Sequence, residues 1–261
     1  MENFKKFLFW YGKFLECDLL HSLNQDPNSP KNIDIIIIFR DVLQTIYAPE
    51  VKDKEEVLKK MFESIAKIIK SYIEKNQHNT INLQLDRISS NSNTFEEINK
   101  EDFKYFFQEF IVSCESFRQI IRLDDKEVKK FYNDKAGNKV LVQSLLEFNN
   151  AISHIIVATH TAKDEYHNIR KAINHLYRGT IDNYKMILRF CDKDFNNGQD
   201  KFVSFLKQVR EHEFLHLGQD INSKIIKYNN NDISIIEAYK ELYELFFLKE
   251  LAKKTELPQL S

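Results

Sequence analysis

Apolar residues recur along this chain at steps of three and four, the spacing that lays side chains along one face of a helix. The longest run is Leu141, Leu145, Phe148, Ile152, Ile155, Thr159, Ala162, Tyr166, Ile169, Ile173, Leu176 and Thr180. Its steps alternate between four and three without a slip, which is a heptad seam. The seam predicts one long helix over residues 139–191, on the order of 75–80 Å. Residues 2–24 carry Phe4, Phe7, Leu8, Tyr11, Phe14 and Leu15 on one face and read as a core helix. Helices are also predicted over 33–47, ended by Pro49, and over 54–75. Another opens at Thr94, with Glu97 as its capping-box partner, and carries Phe103, Phe107, Phe110 and Phe117. The last two span 200–217 and 233–254. Residues 25–32, 76–93 and 194–198 are polar and turn-rich, and Ile81 to Leu85 alternates as a lone strand without a partner.

The fold class that follows is all-α: an elongated bundle of seven or eight helices built around the heptad helix. No domain-sized linker interrupts the chain, so 1–261 reads as a single domain, with 1–93 a candidate separable N-terminal half and 94–261 the main bundle. Composition agrees. Gly 5 and Pro 4 in 261 residues leave little chain punctuation. The net charge of −1 provides no global field toward nucleic acid or anionic lipid, so any polyanion site is a local patch. Cys17, Cys114 and Cys191 are odd in number and far apart, as in a reduced, cytoplasmic protein. The longest apolar run, Ile35 to Phe39, is too short to span a bilayer, so no membrane partner is expected.

Two motifs fall within or near the heptad stretch. The first is Arg170-Lys-Ala-Ile-Asn-His175-Leu-Tyr177. It resembles the Arg-x4-His-x-Tyr motif of HEPN-type ribonucleases, an all-α family found in bacterial toxins and defence systems. The resemblance covers eight residues, and Lys171 stands where the family often has Asn. It implies an endoribonuclease that needs no metal or other cofactor, often completed across a homodimer. His175 would be the acid/base, Arg170 the phosphate clamp and Tyr177 an accessory hydroxyl. RNA cleavage requires a base for the 2′-hydroxyl, an acid for the leaving oxygen and a cation on the phosphorane. On an unbroken helix Arg170 and His175 lie ~140° apart, so convergence needs a helix start or bend near residue 170, or a second chain. His167, Lys171 and Arg178 form a basic strip with Lys163 and Arg170 that suits an RNA backbone, although Asp164, Glu165 and Asp182 also make it an ordinary charged face.

The second motif, His212-Glu-Phe-Leu-His216, has the HExxH form of zinc peptidases. His212 and His216 share a helix face, Glu213 would be the base, and Asp220 or Glu237 would be the third ligand. The strands that flank such helices in peptidases are missing from the pattern, and no metal is expected here. His160, Asp164 and His167 also share a face at i, i+4 and i+7, but no second acid-x-x-His marks a partner helix. Three readings therefore stand: a HEPN-like RNA-cleaving or RNA-binding protein, a non-catalytic helical scaffold for a protein partner, and a zinc-dependent hydrolase.

Overall fold

The computed structural model describes residues 2–21, 31–48, 52–75, 81–83, 101–123, 132–133, 140–160, 164–189, 201–216 and 225–255. Among the described residues are eight helices: α1 (Glu2–His21), α2 (Lys31–Tyr47), α3 (Lys54–Lys75), α4 (Glu101–Leu123), α5 (Val142–His160), α6 (Glu165–Arg189), α7 (Lys201–Leu215) and α8 (Ile235–Thr255). The all-α class is thus as the spacing predicts. Two short antiparallel hairpins accompany the helices: β1 (Tyr132–Asn133) with β2 (Val140–Leu141), and β3 (Ile225–Tyr228) with β4 (Asn231–Ser234). No described helix is long and apolar enough to cross a membrane. Thr94 and Asp220 lie outside the described residues.

The chain divides into two compact units: residues 1–108 with 145–176, and residues 109–144 with 177–261. Residues 1–93 fall wholly in the first. Its core is aromatic. Phe39 of α2 packs against three rings of α1, perpendicular to Phe7 at 5.7 Å and tilted against Tyr11 at 4.6 Å and Phe14 at 6.0 Å. Tyr11 is fully buried, and its hydroxyl donates to Asn149 Oδ1 of α5 at 2.6 Å, so the one polar atom of that core side chain is satisfied. Lys54 closes the C-terminus of α2 by donating to the carbonyls of Ile46 (2.8 Å) and Ala48 (2.9 Å). Ile81 to Leu83, the described part of the expected lone strand, has no regular structure; its amides donate to the Glu16 carbonyl (2.7 Å) and carboxylate (3.1 Å) of α1.

In the second unit, β3 and β4 are joined through Asn229 and Asn230, both at positive φ, 49° and 68°. Asn tolerates that conformation, which matches the twist of a tight hairpin. The hairpin lies on α7, with Tyr228 stacked on Phe205 at 4.0 Å and Gln208 donating to the Lys227 carbonyl at 3.1 Å. Ser234 and Glu237 form a reciprocal capping box that starts α8: each backbone N–H is held by the other's side chain, at 2.7 and 3.2 Å.

The single helix expected over 139–191 is corrected to two. Residues 140–141 are strand, α5 ends at His160, and α6 begins at Glu165 after a bend at Asp164. The seam is buried from Leu141 to Thr159 and again at Ile169, Leu176 and Thr180, but Tyr166 is 65% exposed. Asp164 supplies the reason. It stands in the N-cap position, its carbonyl accepts the first helical hydrogen bond from Asn168 N at 3.0 Å, and Glu165 follows in the first turn. A heptad repeat continues numerically through such a start, because two helices can bury the same phase.

Candidate functional site: a histidine pair between two helices

Helices α5 and α6 each place two polar side chains seven residues apart on the face that meets the other. Glu147 and His154 come from α5, and Asn168 and His175 from α6. Two rungs result. His175 Nδ1 lies 2.6 Å from Glu147 Oε2, and His154 Nδ1 lies 2.9 Å from Asn168 Oδ1. The earlier residue on α5 meets the later one on α6, so the helices run antiparallel. Between the rungs the imidazoles of His154 and His175 stack, with centroids 5.3 Å apart and planes at 18°.

The hydrogen bonds assign the tautomers. Asn168 donates its amide to the Asp164 carbonyl at 3.0 Å, which turns its Oδ1, an acceptor, toward His154. His154 must then donate from Nδ1 and keep its lone pair on Nε2. His175 likewise donates from Nδ1 to the Glu147 carboxylate, which orients the ring. Burial lowers the pKa of His154 below its ordinary 6.5; the Asn168 hydrogen bond opposes this, and the charges of His175, Lys171 and His167 add to the lowering. His154 is therefore neutral at neutral pH. The His175 side chain is 17% exposed and that of Glu147 is 13%, so the dyad is sheltered but open at an edge.

Around this pair the sequence-expected residues fall into two groups. Lys171 and His167 are exposed and lie about one and two turns before His175 on its side of the helix; Arg178 is exposed three residues beyond it. Arg170 and Tyr177 lie elsewhere. The helix is unbroken from Arg170 to His175, so the guanidinium sits ~140° around the axis, over the Tyr166 ring at 5.7 Å. Tyr177 is 5% exposed, and burial, with Glu213 nearby, raises the pKa of its phenol. That hydroxyl is a core group.

The HExxH residues occupy α7. The rings of His212 and His216 stack at 4.0 Å, and His216 Nδ1 donates to the His212 carbonyl at 2.7 Å. Glu213, the base of the peptidase reading, is turned into the core. Its carboxylate is held by Lys185, by Arg210 at 2.9 Å and by the Tyr239 hydroxyl at 2.6 Å. Glu237, a suggested third ligand, is the capping residue of α8. Among the described residues no group of three His, Cys, Asp or Glu is placed to hold a metal ion. His160 ends α5 and Asp164 precedes α6, so the two do not stand on one described helix.

Glu147, His154 and Asn168 were not singled out from sequence. Their signal lies in register: once 142–160 and 165–189 are taken as antiparallel neighbours, the four polar residues beside the seam pair off. Compared with protein-family models, with curated proteins and with solved structures, the chain matches none.

Proposed function

We propose that this protein is a HEPN-like, metal-independent RNA-cleaving protein whose acid/base pair is His154 and His175. The observation that carries the reading is the stacked imidazole pair, one ring oriented by Glu147 and the other by Asn168, next to the exposed cations of one helix face. Two rings at this distance do not readily both carry charge, so one serves as base while the other holds a proton. His154, kept neutral by burial, takes the 2′-hydroxyl proton at Nε2. The 2′-oxygen then bonds to phosphorus as the P–O5′ bond breaks. His175, held by Glu147, gives its Nε2 proton to the leaving 5′-oxygen. The products are a 2′,3′-cyclic phosphate and a 5′-hydroxyl, and Lys171 and His167 supply positive charge to the phosphate. This reading deepens the Arg-x4-His resemblance and moves the partner of His175 from Arg170 to Glu147 and His154.

The test is purified protein with mixed-sequence single-stranded RNA in EDTA. Cleavage leaving a 2′,3′-cyclic phosphate is expected. His175→Ala and His154→Ala should abolish it, and Glu147→Gln should slow it by about tenfold or more. No cleavage by the folded wild-type chain, or cleavage that survives both histidine substitutions, would reject the reading and favour a helical scaffold.

A further inference from the structure

A second polar centre lies in the unit formed by 109–144 and 177–261, independent of the histidine pair. It is a cavity of about 220 Å³ lined by Lys185, Leu188 and Arg189 of α6, Leu206 and Arg210 of α7, and Tyr239 of α8. Three of the six lining residues are cations. One carboxylate, Glu213, stands beneath them, 12% exposed and shared between Lys185 and Arg210. Tyr239 adds no charge, because burial and the adjacent Glu213 push its phenol pKa well up. Its hydroxyl donates to Glu213 Oε2 at 2.6 Å and accepts from Arg210 Nη1 at 3.1 Å. The wall therefore keeps two positive charges beyond what Glu213 neutralises.

The donors are also underused. Arg189 makes no ion pair among the described residues, and Arg210 commits only Nη1, leaving Nε and Nη2. Lys185 gives one of its three protons to Glu213. Meanwhile the Glu213–Tyr239–Arg210 network holds Arg210 through Nη1, so less of its ordering remains to be done on binding. Leu188 and Leu206 give the same cavity an apolar wall.

We propose that this cavity binds a phosphomonoester dianion carried on a small apolar or ring-shaped body, such as a nucleoside monophosphate. A charge of two minus matches the surplus on the wall, whereas a monocarboxylate would leave one cation unbalanced. The three phosphate oxygens suit two guanidinium forks and an ammonium. The apolar side takes the body of the ester, which bare phosphate lacks.

Calorimetric titration of the full chain with a nucleoside monophosphate, the unphosphorylated nucleoside and inorganic phosphate tests this. Saturable one-site binding of the monophosphate is expected, with no binding of the nucleoside. Arg189→Gln, an exposed substitution, should weaken it by about tenfold, while Lys207→Gln, an exposed cation of α7 outside the cavity, should leave it unchanged. Affinity should also fall as pH drops through the second phosphate ionisation, near ~6. Tighter binding of the monophosphate than of inorganic phosphate assigns the ester as ligand; equal affinity assigns free phosphate to the same site. No binding, equal loss in Arg189→Gln and Lys207→Gln, or equal binding of the nucleoside would overturn the proposal. The readout is binding alone, so its failure leaves the RNA-cleavage reading untouched.

Discussion

His175 Nδ1 and Glu147 Oε2 lie 2.6 Å apart although 28 residues separate them in the chain. The pair joins α5 to α6 where both side chains are largely sheltered, 17% and 13% exposed. An interaction so placed couples the packing of α5 to that of α6, and the coupling is measurable. Glu147→Gln, His175→Ala and the double variant should give a non-additive cycle in chemical denaturation, with an interaction energy of about 1–2 kcal/mol. Strict additivity would mean that the pair contributes nothing to holding α5 against α6.

The pH dependence of stability should report His154. Its folded pKa is lowered, chiefly by burial, while the unfolded chain titrates near the ordinary 6.5. Above 6.5 the ring is neutral in both states and contributes no slope. Below it the unfolded chain takes up a proton that the folded ring resists, so the unfolded state binds more protons and stability falls with pH. The loss runs from 6.5 down to the folded pKa. His212, lowered by burial and then by His216, acts with the same sign. From about pH 7.5 to about pH 5.5 the wild-type denaturation midpoint should fall, and His154→Gln should lose less over the same interval. An unchanged loss in the variant would exclude His154 as a source.

Most of the fold was legible because helical periodicity is local. The stripes of α1, α3 and α4 follow directly from the three-and-four spacing of their Phe, Leu and Ile residues. What periodicity does not encode is where one helix stops and the next begins in phase. Asp164 followed by Glu165 is a start signal, yet it sits inside an unbroken numerical repeat and is outweighed by it. That one break decides the site. With a single rod, Glu147 and His175 lie about eight turns apart on the same helix. With two antiparallel helices they touch. The β3–β4 hairpin was missed for a different reason: Ile225 and Tyr228 are few and half exposed, and only the Asn229-Asn230 turn announces them. The HExxH spacing placed His212 and His216 on adjacent turns, but spacing says nothing about which way Glu213 turns.

Glu213 gives the third prediction. Removing it leaves Lys185 and Arg210 facing each other without their shared carboxylate, so Glu213→Ala should cost about 2–4 kcal/mol. The lower part of that range applies if water reaches Arg210, whose side chain is 51% exposed. Tyr239→Phe loses two hydrogen bonds, the buried one to Glu213 and the half-buried one from Arg210, and should cost about 1–2 kcal/mol. His212→Ala should stay within about 1 kcal/mol of wild type, because its buried Nε2 meets no hydrogen-bond partner among the described residues. Urea denaturation of the three variants ranks them. A Glu213→Ala chain as stable as His212→Ala would show that the carboxylate is not the keystone of this core.

The last prediction separates two ways of placing a cation on the RNA phosphate. On the continuous helix α6, Lys171 lies ~40° around the axis from His175, whereas Arg170 lies ~140° away. Within one chain, then, Lys171 is the nearer charge, and its proximity to His154 is felt in the lowered pKa of that ring. If the site works within a single chain, Lys171→Ala should reduce RNA cleavage by about tenfold or more and Arg170→Ala by much less. Arg170 can reach a phosphate at His175 only from a second copy of the chain. In that case Arg170→Ala alone should abolish cleavage, and mixing it with His175→Ala should restore part of the activity, since one mixed site would carry both intact residues. Kinetics of the two single variants, alone and mixed, decide between these arrangements. The single-chain geometry predicts that mixing restores nothing and that Lys171→Ala is the more damaging substitution; restored activity would assign the phosphate clamp to Arg170 across a dimer.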